Sequence, residues 1–286
     1  MRLFLLILFF CPVLVFSQSR LSITAFGGVS NYHGDLQPKR ISFAQSNFAG
    51  GLGLQYELSP RLALRGELRI GHVEAHDSLN PPTLRSRNLH FRSRIYEASG
   101  LIQYSFGDIM EKPLVPYVFA GLAIYHFSPY TYAPNGKKVF LQPLSTEGQG
   151  LPQYPNRKKY SLDQLAIPFG FGARYAVNEK ITLGFEIGLR KLFTDYLDDV
   201  STTYVDDLIL LAEKGQRAVD YSYRGDELKD GLPNYPPAGW IRGGKHKDWY
   251  YFTGIHVTYR IFNIGYRNAS FGGGSFNRKQ MDCPKF

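Results

Sequence analysis

Between Gln164 and Phe193 the chain alternates with a period of two along both arms of a hairpin. Leu165, Ile167, Phe169, Phe171, Ala173 and Tyr175 interleave with Ala166, Pro168, Gly170, Gly172 and Arg174. After a turn at Val177, Asn178, Glu179 and Lys180, Ile181, Leu183, Phe185, Ile187 and Leu189 interleave with Thr182, Gly184, Glu186, Gly188 and Arg190. One face is apolar and the other is small or charged, which is the pattern of strands and not of helices. Each arm has about the 9 to 11 residues that a tilted strand needs to cross a hydrocarbon layer. Tyr175 and Phe193 fall near arm ends, where aromatic girdles belong. The apolar face is therefore read as facing lipid, and Arg174, Glu186 and Arg190 as facing a lumen.

The N-terminus fits an exported chain. Met1 and Arg2 precede an apolar run from Leu3 to Phe16, with Ser17 at a cleavage point, so residues 1–17 read as a signal peptide. That run is about 14 residues, short of the roughly 20 of a spanning helix. Phe9 and Phe10 stand before Cys11 where a lipobox requires small residues. Residues 18–262 are expected to form the barrel and 263–286 a periplasmic tail. No later stretch is apolar and long enough for a spanning helix, so a membrane protein of this composition must be a closed barrel. Aromatics at 15% and 29 glycines suit short strands with girdles.

Removing the signal peptide leaves Cys283 alone, so no internal disulfide is available. The net charge of +9 includes Arg2. Its Lys and Arg residues are scattered through loops and alternate strand positions, which favours anionic lipid headgroups over nucleic acid as their partner.

The same alternation marks strands over Ser19–Ser30, Phe48–Leu58, Arg61–Glu74, Leu89–Phe106, Leu114–Phe127 and Asp248–Phe262, eight with the hairpin. The predicted fold is all-β: an eight-stranded antiparallel transmembrane β-barrel with long external loops. The connections alternate long and short, the asymmetry of barrels with short periplasmic turns. Both ends of the chain then lie in the periplasm. Arg65, Glu67, Arg69, Glu97, Arg174, Glu186 and Arg190 fall on inward positions. An eight-stranded lumen is just wide enough to be filled by side chains. These charges are expected to pair between adjacent strands and to leave no pore.

Sites for chemistry are sparse. Asp195, Asp198, Asp199, Asp206 and Asp207 form an oxygen-rich block without EF-hand spacing, so a hydrogen-bonded loop is expected and no metal or cofactor is assigned. His72 and His76 share a strand face at a separation of about 13 Å, too far for a zinc pair. His126 and His256 have no nucleophile motif beside them, so the chain is read as a non-enzyme. Arg224-Gly225-Asp226 spells an adhesion triplet, which as a triplet carries little. Gly272 to Gly274 reads as a hinge to the tail.

Several stretches resemble one family: Gly28 with Asn31, Tyr32, Gly34, Asp35 and Leu36; Phe193, Thr194, Asp195, Tyr196 through Asp198, Asp199, Ser201 and Tyr204; Arg224 and Gly225 with Asp226; Asp248, Trp249 and Tyr250; and the ending Cys283, Pro284, Lys285 and Phe286. Together they resemble the PorG-like outer-membrane barrels of Bacteroidota. The resemblance implies a component of the type IX secretion system that associates with a periplasmic ring of the lipoprotein PorK and of PorN. It brings no catalytic residues. It implies a scaffold role, with Cys283, Pro284, Lys285 and Phe286 as possible partner contacts. A stand-alone structural or adhesion barrel, or a lipid-modifying barrel enzyme, are the alternatives. The Asp-rich block is expected to pack a loop over the barrel mouth.

Overall fold

Period-two alternation becomes strand in every segment named above. In the computed structural model, which describes residues 20–38, 45–109, 111–229, 231, 233–244 and 247–261, β1 spans Leu21–His33, β2 Asn47–Glu57, β3 Leu62–His76, β4 His90–Ser105 and β5 Leu114–Tyr132. A short β6 (Lys138–Phe140) is followed by β7 (Asp163–Ala176), β8 (Ile181–Leu192) and β9 (Trp249–Arg260). The expected signal peptide and the tail with Cys283, Pro284, Lys285 and Phe286 lie outside the described residues.

Every pairing is antiparallel. The order runs β4-β3-β2-β1-β9-β8-β7-β5, and β4 also pairs with β5, so eight strands close into a barrel. Closure removes the sheet edges that would otherwise expose unpaired N–H and C=O groups. β6 is an extra strand that adds to the outer end of β5 through Tyr130 to Tyr132. β5 itself runs five residues past the expected end at Phe127. Its aromatic face of Tyr117, Phe119, Tyr125 and Phe127 points into the lumen, where these rings are buried.

The barrel carries its hydrophobic surface outside. Phe48, Leu52, Leu68, Leu122 and Ile124 are 62 to 76% exposed, whereas soluble proteins rarely expose contiguous apolar patches above a few hundred Å². The inward positions alternate with them and include charged, aromatic, small polar and glycine residues. Glycine is obligatory at some: a Cβ on Gly170 would lie 2.1 Å from the Ile187 carbonyl oxygen and 2.7 Å from the Phe119 ring. No described helix is long and apolar enough to cross a membrane.

Short turns at 58–61, 106–113 and 177–180 mark one end, and long connections mark the other. Arg20 and Ile261 lie at the short-turn end, where the Ile261 amide donates to Leu21 O at 3.2 Å. The connection 194–247 reads as loop in the sequence; it contains helices at Asp207–Lys214 and Gln216–Ser222. The first is capped by Asp206, whose carboxylate accepts from the Leu208 and Ile209 amides at 3.0 and 3.1 Å.

Candidate functional site: a filled lumen under a sealed cap

Six of the seven inward charges meet in mid-barrel. Arg65 and Arg69 from β3 flank Glu186 of β8, with contacts of 2.8 and 2.7 Å. Glu67 lies between the two arginines on its own strand, in contact with Arg65 and 2.7 Å from Arg69. Arg190 of β8 grips Glu97 of β4 with two bonds of 2.9 and 3.0 Å, and the Tyr250 hydroxyl donates to the same carboxylate at 2.8 Å. Tyr117 donates to Glu186 at 3.0 Å.

The expected pairing between adjacent strands gives way to pairing across the lumen, from β3 and β4 to β8. Alternation places all these side chains on one interior surface, and the small bore brings opposite walls within bonding distance. Within β3 the pairing is also local, because alternate residues share a face. Arg174 does not join the network. It stands at the short-turn end, 3.9 Å from Glu57, which also contacts Arg260 at 3.4 Å.

Aromatic rings close the lumen above these charges. Arg69 lies 4.3 Å from the Phe26 ring centroid and Arg190 4.6 Å from that of Phe252. Such stacking places weakly hydrated guanidinium faces against rings without breaking their in-plane bonds. His256 points inward, 3.2 Å from Glu67, and His126 points outward, 2.7 Å from Asp163.

The long connections then fold over the mouth. Asp198 and Asp248 converge on the Tyr32 hydroxyl at 2.6 and 2.9 Å. A phenol has one hydrogen to donate, so the second contact requires a carboxyl proton. Burial pushes both carboxyls well above the usual range. The charge of Asp35 adds to the effect at Asp198, and those of Asp198 and Asp195 at Asp248. Their other oxygens accept the Val200 and Leu197 amides at 2.9 and 2.8 Å. Gly34 is required here, since a Cβ would lie 2.0 Å from Asp248 Oδ1 and 2.1 Å from the Tyr32 hydroxyl.

A second cluster holds the cap together. Asp199 accepts from Thr146 and Tyr160 hydroxyls at 2.5 and 2.6 Å, and burial pushes it up to about 6 against the opposing pull of Arg242. Its backbone adopts a positive φ of 66°, a conformation that Asp tolerates better than most residues. Glu147 accepts from the Ser201 and Thr202 amides, each at 3.0 Å, from the Thr202 hydroxyl at 2.7 Å and from Arg242 at 3.0 Å. Asp195 accepts from the Ser201 hydroxyl at 2.9 Å, while burial raises it to about 7. These aspartates are shared out among protein donors, and no group of three or more metal-ligating side chains occurs among the described residues.

This cap should tighten on acidification. Asp198, Asp199 and Asp248 bind protons more strongly folded than unfolded, so the native state holds protons that the opened loop releases. Their contribution is present below the unfolded carboxylate range, near 3.9, and is lost as pH rises through the folded values, about 6 for Asp199. Amides of 194–204 should therefore be more protected at pH 5 than at pH 7.5, by on the order of 1 kcal/mol or more after correction for intrinsic exchange. Asp199→Asn should reduce the difference, and Asp198 and Asp248 should maintain the remainder. Equal protection at both pH values would sink the assignment.

Other signature residues lie around the same cap. Asn31 bonds Ser46 at 2.9 Å, and Thr194 accepts the Tyr196 amide at 3.2 Å. Tyr196 stacks on Tyr160 at 4.8 Å, and the rings of Phe169 and Trp249 meet edge to face at 6.1 Å. Phe193 is half exposed, with Lys247 6.0 Å from its ring. The adhesion triplet is not displayed: Arg224 is 6% exposed and bonds Glu227 at 2.8 Å, and Gly225 is buried.

Sequence reasoning missed Glu147, Tyr160 and Arg242, whose partners lie far away in the chain. Asn80 and Arg87 were missed for the same reason, since Asn80 donates to the distant Leu36 carbonyl and Arg87 joins Asp77 to distant segments. Arg87 ties Asp77 at 2.8 Å to the carbonyls of Asp35, at 3.0 Å, and Arg242. The one local signal was the run from Thr146 to Gly150, where Gly148 and Gly150 have positive φ. Beside the cap, a groove of about 770 Å³ is lined by Arg87, Tyr204, Trp240, Ile241 and Lys247.

Solved outer-membrane barrels resemble this architecture. Neisserial surface protein A is 10% identical over 84% of this chain and 96% of its own, with a TM-score of 0.42. Ail of Yersinia pestis, crystallised with the heparin analogue sucrose octasulfate, is 8% identical over 84% and 97%, with a TM-score of 0.40. A major outer membrane protein of Thermus thermophilus is 11% identical over 84% and 98%, also at 0.40. These likenesses concern the barrel and lend this chain no ligand. A search of curated proteins finds no match to the sequence. The family described as "Domain of unknown function (DUF6089)" matches residues 1–212, from the N-terminus through the signature block and into the capped helix that follows it, and the chain belongs to that family.

Proposed function

We propose that the protein is an integral outer-membrane barrel, with its long loops outside and both ends periplasmic, that serves as a non-enzymatic anchor or scaffold of the type IX secretion machinery. The observation that carries this reading is a barrel shut twice, by the cross-lumen charge network and by the cap. A shut barrel offers its wall and its ends as working surfaces. The last described strand ends at the short-turn side, beside the start of the first. Ile261, the last described residue, lies on the side where a periplasmic ring of PorK- and PorN-like subunits would dock under this reading, in line with the PorG-like resemblance.

The test is an affinity pull-down of the tagged protein from gently solubilised outer membranes after cross-linking. Ring lipoprotein at near-stoichiometric yield is the expected result, and deletion of 271–286 should reduce it. Recovery of the barrel alone would remove the scaffold role and leave the fold untouched. A second reading, a stand-alone surface barrel, rests on the external groove with Trp240 55% and Ile241 78% exposed. Ring recovery unaffected by substitutions in that groove would separate the two.

A further inference from the structure

Outward positions of β4, taken from the rim downward, read Arg92, Arg94, Tyr96, Ala98, Gly100 and Ile102. Two cations thus stand above an aromatic ring, with small residues beneath. The neighbouring strands repeat the layering. Arg94 lies opposite His72 on β3 and Ser128 on β5, whereas Gly100 lies opposite Gly66 and Leu122. Lys138 of β6 brings its ammonium to 4.4 Å from the Tyr130 ring centroid, beside Arg92.

The charge at the top is not balanced. Glu74 is taken by Arg92. Arg94 is exposed and donates to His72 Nε2 at 3.0 Å and to the Tyr96 hydroxyl at 3.2 Å. Neither contact neutralises it. Among the described residues no carboxylate pairs with Arg94 or Lys138.

Below the cations the wall is dented. A Cβ placed on Gly66 or Gly100 would meet nothing within 4 Å. Leu54, Leu64, Ile102, Leu122 and Ile124 border the hollow, which has a volume of about 840 Å³. Six residues separate Arg94 from Gly100, about 20 Å along the strand and about 15 Å in depth at a tilt of roughly 40°. That depth is half of a hydrocarbon layer of about 30 Å. With Arg94 at the headgroups, the dent reaches mid-bilayer.

We propose that the outer wall of β3, β4 and β5 seats one net-anionic phospholipid of the external leaflet, its head on Arg94 and Lys138 beside the Arg92–Glu74 pair and an acyl chain in the dent at Gly66, Ala98 and Gly100. The seat rests on the membrane orientation proposed above. A second copy of the barrel is a poor occupant, because a two-fold contact at equal depth would face Arg94 with its own copy. At the dent a partner strand finds no free edge, because β3, β4 and β5 are each paired on both sides there.

The test is native mass spectrometry of the full-length barrel released from neutral detergent micelles doped with phosphatidylglycerol or with phosphatidylcholine. One phosphatidylglycerol should remain bound, with phosphatidylcholine retained about tenfold less. Arg94→Ala with Lys138→Ala should lower phosphatidylglycerol retention about tenfold. Gly100→Leu should lower it similarly by filling the dent, and Gly66→Leu fills the same dent from β3 should the first variant not fold. Added inorganic phosphate should leave the lipid in place. Equal retention of both lipids, full retention in folded Gly100→Leu or Gly66→Leu, displacement by phosphate, or capture of a second barrel in place of lipid would each overturn the seat. Heat-modified gel migration reports folding separately. A wild-type chain that never inserts would overturn the membrane reading and the seat with it, whereas a folded barrel without selective lipid overturns the seat alone.

Discussion

Glu186→Ala is expected to prevent the barrel from assembling. The substitution removes the shared acceptor of Arg65, Arg69 and Tyr117 at the centre of the lumen. Both guanidinium groups are fully buried, and Glu67 is left to pair with two arginines. Removing one partner of a buried ion pair costs about 3–5 kcal/mol, a large share of the 5–15 kcal/mol typical of a folded domain. The expected result is loss of the heat-modifiable band, or a urea midpoint far below that of the wild type. Arg174→Ala is the matched control, since its distance of 3.9 Å from Glu57 makes that pair a weak one and the loss should stay near 1 kcal/mol. Similar unfolding midpoints for Glu186→Ala and the wild type would show that the cross-lumen pairs do not hold the barrel.

Glu147→Ala should release the cap while sparing the barrel. Four donors lose their acceptor at once: two backbone amides, the Thr202 hydroxyl and the Arg242 guanidinium. Arg242 is 2% exposed, so its charge is stranded away from water. An unpaired buried charge with orphaned amides again costs about 3–5 kcal/mol, here spent within one loop assembly. Cleavage in 193–248 through a transiently open cap should rise by at least about a hundredfold in limited proteolysis. Gel migration of the barrel core should not change. Unaltered proteolysis would mean that other contacts close the mouth.

Strands and their facing were readable from the sequence because a period of two ties side-chain direction to position and needs no knowledge of partners. Leu165, Phe169, Phe171 and Tyr175 point outward and Arg174, Glu186 and Arg190 inward, as the alternation requires. Which charge meets which was not readable. Arg65 reaches Glu186 across a lumen whose bore is a property of the whole ring, and adjacent-strand reasoning has no access to it. The partners of Asp198, Asp199 and Asp248 were hidden for a related reason. The Asp-rich block reads as a hydrogen-bonded loop over the mouth, but Tyr32, Tyr160 and Arg242 arrive from distant segments. The helix Asp207–Lys214 did carry a local signal, Asp206 two residues before the amide it caps, within a stretch read as loop.

Pairing of the first strand with the last has a kinetic consequence. His33 at the top of β1 is the register partner of Trp249 at the top of β9. Contacts between the chain's extremes form slowly, because the intervening segments must be ordered before the contact is made. Until β9 arrives, β1 presents an unpaired edge, the template on which chains misassociate. Tyr32 and Asp248 are the residues next to that final register, so their bond joins the cap only after the seam has zipped. Cap locking thereby depends on completion of the ring: a chain with an open seam cannot bring Asp248 to Tyr32 and keeps a loose mouth.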